Sequence, residues 1–92
     1  MVKVRNVSTE QYMENLTAKG FIFKEDARGF INFGKHYTGC SDLQVNLAIE
    51  ITLMAQKEFD GSFFISILES MQKERVQTKK AALEMAKMKA II

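Results

Sequence analysis

The stretch that decides the fold reads LQVNLAIEITL and occupies positions 43–53. Apolar side chains stand at every odd position of this stretch, and polar side chains fill the even positions except at Ala48. A helix turns each residue by about 100° and would scatter the apolar side chains around its circumference, whereas a strand collects them on one face. The alternation therefore predicts a strand over about residues 42–54. A helix stays open as the alternative, because Ser41 and Gln44 match an N-terminal capping box.

The segment before this stretch divides into a predicted helix and a predicted hairpin. Ser8 is a suitable N-cap, Gln11 has the capping-box spacing, and Gly20 favours a left-handed stop. We therefore expect a helix over about residues 8–19. Two aromatic and β-branched runs follow, and this composition is typical of strands. A polar link that ends in glycine joins them, which predicts a β-hairpin. The two runs occupy residues 21–23 and 30–33.

The segment after the long strand has two interpretations. Asp60 and Gly61 form a turn signal between two apolar runs, which favours a strand over residues 62–68 that pairs back on the long strand. The same residues suit the start of a helix capped by Ser62, because their apolar side chains recur at helical spacing. In both interpretations the final segment, residues 71–90, is rich in good helix formers and predicts a helix.

These elements predict a single α+β domain over residues 1–92. It has an N-terminal helix, a three- or four-stranded antiparallel sheet, and a basic C-terminal helix over residues 71–92 that is free to protrude. A chain of 92 residues buries only a thin core. We expect the helices to cover the apolar sheet face only in part, which favours a homodimer or another homo-oligomer.

Charge is distributed unevenly along the chain, whose formal net charge is +2. Residues 1–70 carry seven basic and nine acidic side chains, net −2, whereas residues 71–92 carry six basic and two acidic ones, net +4. A basic helix favours an anionic partner, and we expect it to bind nucleic-acid phosphates with little base specificity. The alternative is a solvated helix whose lysines keep the chain soluble. The residues expected to contact phosphates are Lys73, Arg75, Lys79, Lys80, Lys87 and Lys89.

The start of this terminal helix resembles a known family. The run TKKAALEMA at 78–86 resembles the last helix of double-stranded-RNA-binding domains, in which a Ser/Thr-Lys-Lys-x-Ala start touches phosphates. The run GKH at 34–36 is similar to the Gly-Pro-x-His loop of that family, with the proline missing and the loop one residue shorter. The family's aromatic-glycine spacing before the last helix is absent. The resemblance implies an order of helix, strands and basic helix, with phosphate contacts by Lys79 and Lys80.

Side chains suited to catalysis or metal binding are few. His36 is the only histidine and Cys40 the only cysteine, and a Cys–His nucleophilic pair needs a third, orienting group that the sequence does not identify. One histidine and one cysteine do not close a zinc site, Glu25 and Asp26 lack the spacing of a calcium loop, and no glycine-rich phosphate loop is present. We therefore predict no enzymatic activity, no metal and no cofactor. We interpret His36 as a loop residue and Cys40 as a small apolar side chain.

The second functional hypothesis is a protein-interaction module, such as an inhibitor, adaptor or assembly subunit with a regulatory role. It would bind through a sheet edge or through the methionine-bearing terminal helix, because flexible thioethers adapt to irregular grooves. The phenylalanines of the predicted hairpin are core side chains in this interpretation, and base-stacking faces in the nucleic-acid interpretation. They are Phe21, Phe23, Phe30 and Phe33, and the methionines are Met71, Met85 and Met88.

The composition also predicts a compartment. A lone cysteine indicates a reducing environment, and the first residues lack the apolar segment of a signal peptide. No apolar run approaches the ~18–20 residues that cross a bilayer. We therefore expect a cytoplasmic protein with no membrane partner.

Overall fold

The structure is a computed structural model that describes residues 3–91 and contains five α-helices in that range. No strand occurs between Lys3 and Ile91, so the predicted α+β fold with its antiparallel sheet is wrong, and the described chain is all-helical. The order of helix, strands and helix implied by the resemblance to double-stranded-RNA-binding domains is absent for the same reason. The helices are α1 (Thr9–Ala18), α2 (Ala27–Thr38), α3 (Asp42–Gln56), α4 (Gly61–Lys73) and α5 (Lys79–Met88).

The predicted strand over residues 42–54 is wrong, and the capped helix is what forms. Ser41 Oγ accepts a hydrogen bond from the Gln44 backbone N–H at 3.2 Å, and Gln44 Oε1 accepts one from the Ser41 N–H at 3.0 Å. Every residue from 44 to 53 is buried, and α3 contacts each of the other four helices. A helix enclosed on all sides has no solvent face, so its apolar side chains need not follow the helical period.

The polar side chains of α3 are buried together with their partners. Asn46 Nδ2 donates to the carbonyl oxygens of Val4 and Val7, at 3.1 and 3.2 Å. Gln44 Nε2 donates to the carbonyl oxygen of Val76 at 2.7 Å. These bonds tie the segments before α1 and before α5 to the central helix. Two of the even positions, 44 and 46, are therefore polar because they hold neighbouring backbone, and not because they face water.

Helix α1 confirms the predicted helix over residues 8–19. Ser8 Oγ accepts a hydrogen bond from the Gln11 N–H at 3.1 Å, as expected for an N-cap. The Gln11 side chain donates to Asn15 Oδ1 at 2.8 Å. Gly20 follows the helix with φ +101°, a conformation that L side chains rarely adopt and that ends the helix.

Helix α2 occupies the second half of the predicted hairpin, which is therefore wrong. Gly34 lets α2 lie close to α4, because a Cβ at this position would come within 2.8 Å of Ile65 Cδ1 and 2.9 Å of Leu68 Cδ1. The aromatic and β-branched side chains at 30–33 favour a strand locally, but the buried positions recur at helical spacing. The buried face of α2 consists of Ala27, Ile31, Gly34 and Thr38.

Helix α4 replaces the predicted strand over residues 62–68. The Asp60 side chain accepts a hydrogen bond from the Phe63 N–H at 3.0 Å, so it caps a helix instead of opening a hairpin turn. Helix α4 runs beside α2 in the same direction. Near their C-terminal ends Gln72 Nε2 donates to the carbonyl oxygen of Thr38 at 2.5 Å.

The predicted terminal helix over residues 71–90 is interrupted. Helix α4 ends at Lys73, and Arg75 adopts φ +56° in the link that follows. Helix α5 then begins after Thr78, whose Oγ1 accepts a hydrogen bond from the Ala81 N–H at 3.1 Å. The basic side chains of this segment are consequently shared between a helix end, a link and a second short helix.

Candidate functional site

Helix α2 presents a stripe of aromatic side chains beside its buried face. Phe30, Phe33 and Tyr37 recur at i, i+3 and i+7, and together with Asp26 they fall within about 60° of the helix circumference. Phe33 is 57% and Tyr37 62% exposed, and their rings stack with centroids 5.4 Å apart and planes 9° from parallel. We name Asp26, Gly29, Phe30, Phe33 and Tyr37 the α2 aromatic surface.

Gly29 opens a hollow in this surface. The hollow measures about 450 Å³, and four of the five residues line it: Asp26, Gly29, Phe30 and Phe33. A Cβ at position 29 would meet no heavy atom within 4 Å, so the space above the glycine is open. Phe30 leans on α4 instead, where a Cβ at Gly61 would come within 2.5 Å of the Phe30 ring. The hollow is therefore shallow and open, and one of its walls, the Phe30 ring, is held by the fold.

Ion pairs lie on the opposite flank of α2. Arg28 Nη1 is 2.8 Å from Glu10 Oε1, and Lys35 pairs with Asp42. These contacts join α2 to α1 and to the first turn of α3. The Asp26 side chain, in contrast, makes no capping hydrogen bond and is exposed. The α2 aromatic surface is therefore apolar along its length, with a carboxylate at its N-terminal end and a phenol at its C-terminal end.

His36 and Cys40 are not brought together. Cys40 is buried, with its Sγ 4.0 Å from the carbonyl oxygen of Leu68, whereas His36 lies exposed on α2. Within residues 3–91 no hydrogen bond joins the two side chains. In the same range no group of three His, Cys, Asp or Glu side chains is arranged to hold a metal ion.

The six side chains predicted to bind phosphates divide into two groups. Lys79 Nζ is 3.3 Å from Glu50 Oε1, and Lys89 Nζ is 3.0 Å from Glu74 Oε2. Lys80 projects from the solvent side of α5, but acidic Glu84 follows it one turn later on that side. The other four have no acidic partner within 4.0 Å among the described residues: Lys73, Arg75, Lys80 and Lys87.

A second hollow lies beside the link between α1 and α2. It measures about 350 Å³, and Phe21, Leu53 and Phe59 contribute apolar walls. Its rim carries charges of both signs, from Lys24, Asp26, Lys57 and Glu58. The mixed charge of this rim does not point to one class of ligand, whereas the α2 aromatic surface is apolar along its length.

A buried polar cluster joins α1 to α3. Tyr12 on α1 and the α3 residues Asn46 and Glu50 are almost fully buried. The Tyr12 hydroxyl, Asn46 Oδ1 and Glu50 Oε2 have no hydrogen-bond partner within the described part of the chain. Burial, and secondly the Glu50 carboxylate, raises the pKa of the Tyr12 phenol above its ordinary value. This cluster is enclosed, so we assign it to the folding of the domain.

We expect alkaline pH to destabilise the domain through Tyr12. Because the phenol's pKa is higher in the folded than in the unfolded chain, its contribution is fully present below about pH 10 and is lost as the pH rises further. The slope approaches about 1.4 kcal/mol per pH unit. Tyr12→Phe should keep its stability at pH 7, because the hydroxyl has no partner, and should lose this slope. Urea unfolding from pH 7 to 11 measures the stability at pH 7 and its slope with pH, and Tyr37→Phe is the control. Equal slopes in the wild-type, Tyr12→Phe and Tyr37→Phe proteins would contradict the assignment.

The α2 aromatic surface is the feature that sequence reasoning missed. The sequence predicts Phe30 and Phe33 in a strand, as core or base-stacking side chains, but they lie on an exposed helical surface, whereas Phe21 and Phe23 pack against the core. The signal that identifies the surface is the i, i+3, i+7 spacing that Tyr37 completes. The aromatic stripe lies beside the buried stripe on the circumference of α2. The helix that covers the buried stripe leaves the aromatic stripe exposed.

Comparison with known proteins places the chain in a family without supplying a role. The model of a family of unknown function, DUF6123, matches residues 4–92. No curated protein and no solved structure matches the chain. In the part of the chain that the structure describes, none of the helices has both the length and the apolar character that a membrane span requires.

Proposed function

The chain belongs to this family of unknown function, and from its surface we propose that it is a non-enzymatic protein-interaction domain that binds through the α2 aromatic surface. The observation that supports the proposal is the exposed, stacked pair of Phe33 and Tyr37. Aromatic side chains are enriched at the centres of protein interfaces, and the largest exposed apolar patch of a monomeric protein is often functional. The residues that the structure describes form no sheet edge, and the exposed aromatic side chains of α2 take the role that the sequence assigned to one.

The fold itself has no need of these exposed rings. The buried face of α2 already packs on α4, where Gly34 allows the two helices to approach closely. The Phe33 and Tyr37 rings stack on each other and leave more than half of their area in water. A core contribution would require them to be covered, so their exposure favours a role in binding.

We expect Phe33→Ser and Tyr37→Ser to separate binding from stability. Each change should alter the free energy of unfolding by no more than about 1 kcal/mol, because the side chains are largely exposed. Each should weaken partner binding at least tenfold, as loss of an interface aromatic does. Met88→Ser is the matched control, since Met88 is 88% exposed and lies on the methionine-bearing helix. Losing binding with Met88→Ser and not with the α2 variants would contradict the proposal.

The partner can be sought with a photo-crosslinker placed in turn at positions 33, 37 and 88. Crosslinking is performed in extract of the source cells, and the products are identified by mass spectrometry. We expect positions 33 and 37, but not position 88, to capture one protein. That protein is either a second copy of this chain or a different partner. Its capture from position 37 should be abolished by Phe33→Ser. Capture from position 88 alone, or equal capture from all three, would refute the α2 site.

Nucleic-acid binding by the terminal basic segment is the second candidate. The four cations without an acidic partner among the described residues favour it. Removing Lys80 and Lys87 by Lys80→Ala and Lys87→Ala should then reduce the slope of log affinity against log salt by about 0.7–0.9 for each lost phosphate contact. Electrophoretic titration of duplex RNA and duplex DNA at several salt concentrations measures this slope. A slope unchanged by the two substitutions would exclude the segment as the binding site.

A further inference from the structure

We infer that the occupant of the α2 aromatic surface is a second copy of this chain, bound with its α2 antiparallel to the first in a two-fold symmetric dimer. The inference rests on the proposed function, because it names the partner of the same surface. The inference follows from the order of side chains along α2. When two copies of the stripe lie antiparallel, each side chain faces a chemically matching side chain of the other copy.

The two ends of the stripe match each other chemically. Asp26 supplies an exposed carboxylate without a capping bond at the N-terminal end. Tyr37 supplies a phenol donor 11 residues later, about 16 Å along the helix axis. Antiparallel pairing about a midpoint between positions 31 and 32 places each Asp26 opposite the Tyr37 of the other copy. The phenol then donates to the carboxylate, once at each end of the interface.

The centre of the stripe matches itself in the same register. The midpoint that pairs Asp26 with Tyr37 also pairs Phe30 with Phe33 of the other copy. Each Phe33 then reaches the hollow of about 450 Å³ above Gly29, which is open to solvent in a single copy. A ring that enters this hollow contacts the opposite Phe30, whose position is fixed by α4. Knob and hole are thus both present on one chain, as a two-fold interface requires.

Area sets the strength expected of this dimer. The exposed fractions of the three aromatic residues correspond to on the order of 300 Å² of surface for each copy. A standard stable interface buries about 800 Å² for each partner. The dimer is therefore expected to be weak and reversible, so that it forms only at high protein concentration. At lower concentrations the chain is monomeric and its surface is free.

Gly29→Gln is the variant that tests the inference without disturbing the monomer. A Cβ at this position meets no heavy atom within 4 Å, and glutamine is a better helix former than glycine. It fills the hollow that the partner's Phe33 must enter. Sedimentation equilibrium from about 5 to 500 µM should show a monomer–dimer equilibrium for the wild-type chain and a monomer for Gly29→Gln. Circular dichroism should show an equally helical and equally stable variant.

The register is tested by crosslinking two variants in a Cys40→Ala background. Asp26→Cys protein and Tyr37→Cys protein are mixed with a short bis-maleimide. The antiparallel register predicts that the mixed 26–37 product forms at least tenfold faster than either self-product. Dominant self-products would overturn the register and with it the inference.

The outcomes separate this inference from the function on which it rests. A chain that stays monomeric up to 500 µM, or a dimer that Gly29→Gln leaves intact, overturns the second-copy inference. If positions 33 and 37 still capture a different protein in that case, the proposed function stands with another partner. Without any capture from these positions, both are refuted.

Discussion

Asn46→Ala is expected to lower the free energy of unfolding by about 2–4 kcal/mol. The Asn46 amide donates to two carbonyl oxygens, those of Val4 and Val7, inside the protein. The substitution leaves both without this donor and opens a small cavity at a fully buried position. Loss of Asn46 Oδ1, which has no partner among the described residues, offsets part of the cost. Urea unfolding followed by circular dichroism measures the change.

Thr52→Val is the matched control on the same helix. Thr52 is also fully buried, but its hydroxyl donates to the carbonyl oxygen of Ala48 at 2.7 Å, one turn earlier in α3. That oxygen keeps its place in the helical ladder, so we expect a cost of less than about 1 kcal/mol. Equal effects of the two substitutions would show that Asn46 does not hold the N-terminal segment as the structure indicates.

Lys79→Met is expected to lower the free energy of unfolding by about 2–3 kcal/mol. Its side chain is 45% exposed, but it neutralises the Glu50 carboxylate, whose side chain is only 3% exposed. Breaking a fully buried pair costs about 3–5 kcal/mol, and the exposure of Lys79 reduces that figure. Methionine keeps the aliphatic packing of the lysine stem, so the loss reports the missing charge. Urea unfolding of the purified variant at neutral pH gives the value.

A second substitution identifies the cause of this loss. Glu50→Gln in the Lys79→Met background removes the unpaired carboxylate and should recover most of the stability. Lys89→Met is the control, because its pair with Glu74 is about half exposed on both sides and should contribute less than about 1 kcal/mol. A Lys79→Met protein as stable as Lys89→Met would contradict the buried pair. The result also decides how Lys79 variants are interpreted in nucleic-acid binding, since they combine lost charge with lost stability.

The helix ends were predictable from the sequence because a cap is a local interaction. Ser8 marks the start of α1, and Ser41 with Gln44 marks the start of α3, although the alternation at 43–53 favours a strand. Alternation implies a strand only when one face is in water. Here Gln44 and Asn46 of α3 bind backbone from distant parts of the chain, which no local pattern reports.

The Asp60–Gly61 pair shows the same limit. It fits a hairpin turn and a helix N-cap equally well by composition. The choice depends on what lies against the following apolar residues, and Phe64 and Leu68 pack in the core beside Gly34 of α2. That contact joins segments about 30 positions apart, so the packing of α2 on α4 decides the secondary structure.

The candidate site was less predictable than the fold. The basic side chains were identified by type, but sequence does not show that Lys79 and Lys89 are engaged by Glu50 and Glu74. The aromatic spacing on α2 is visible in the sequence only once the segment is known to be helical. A strand over 30–33 places Phe30 and Phe33 on opposite faces, whereas a helix places them together.

Backbone chemical shifts of residues 21–56 test the central claim, which is that α2 and α3 are helices and that Phe30, Phe33 and Tyr37 therefore share one exposed face. The account predicts helical Cα and Cβ shifts over 27–38 and over 42–56, interrupted between Gly39 and Ser41. Extended shifts over 30–33 or over 43–53 would contradict it, because the aromatic side chains would then be divided between two faces.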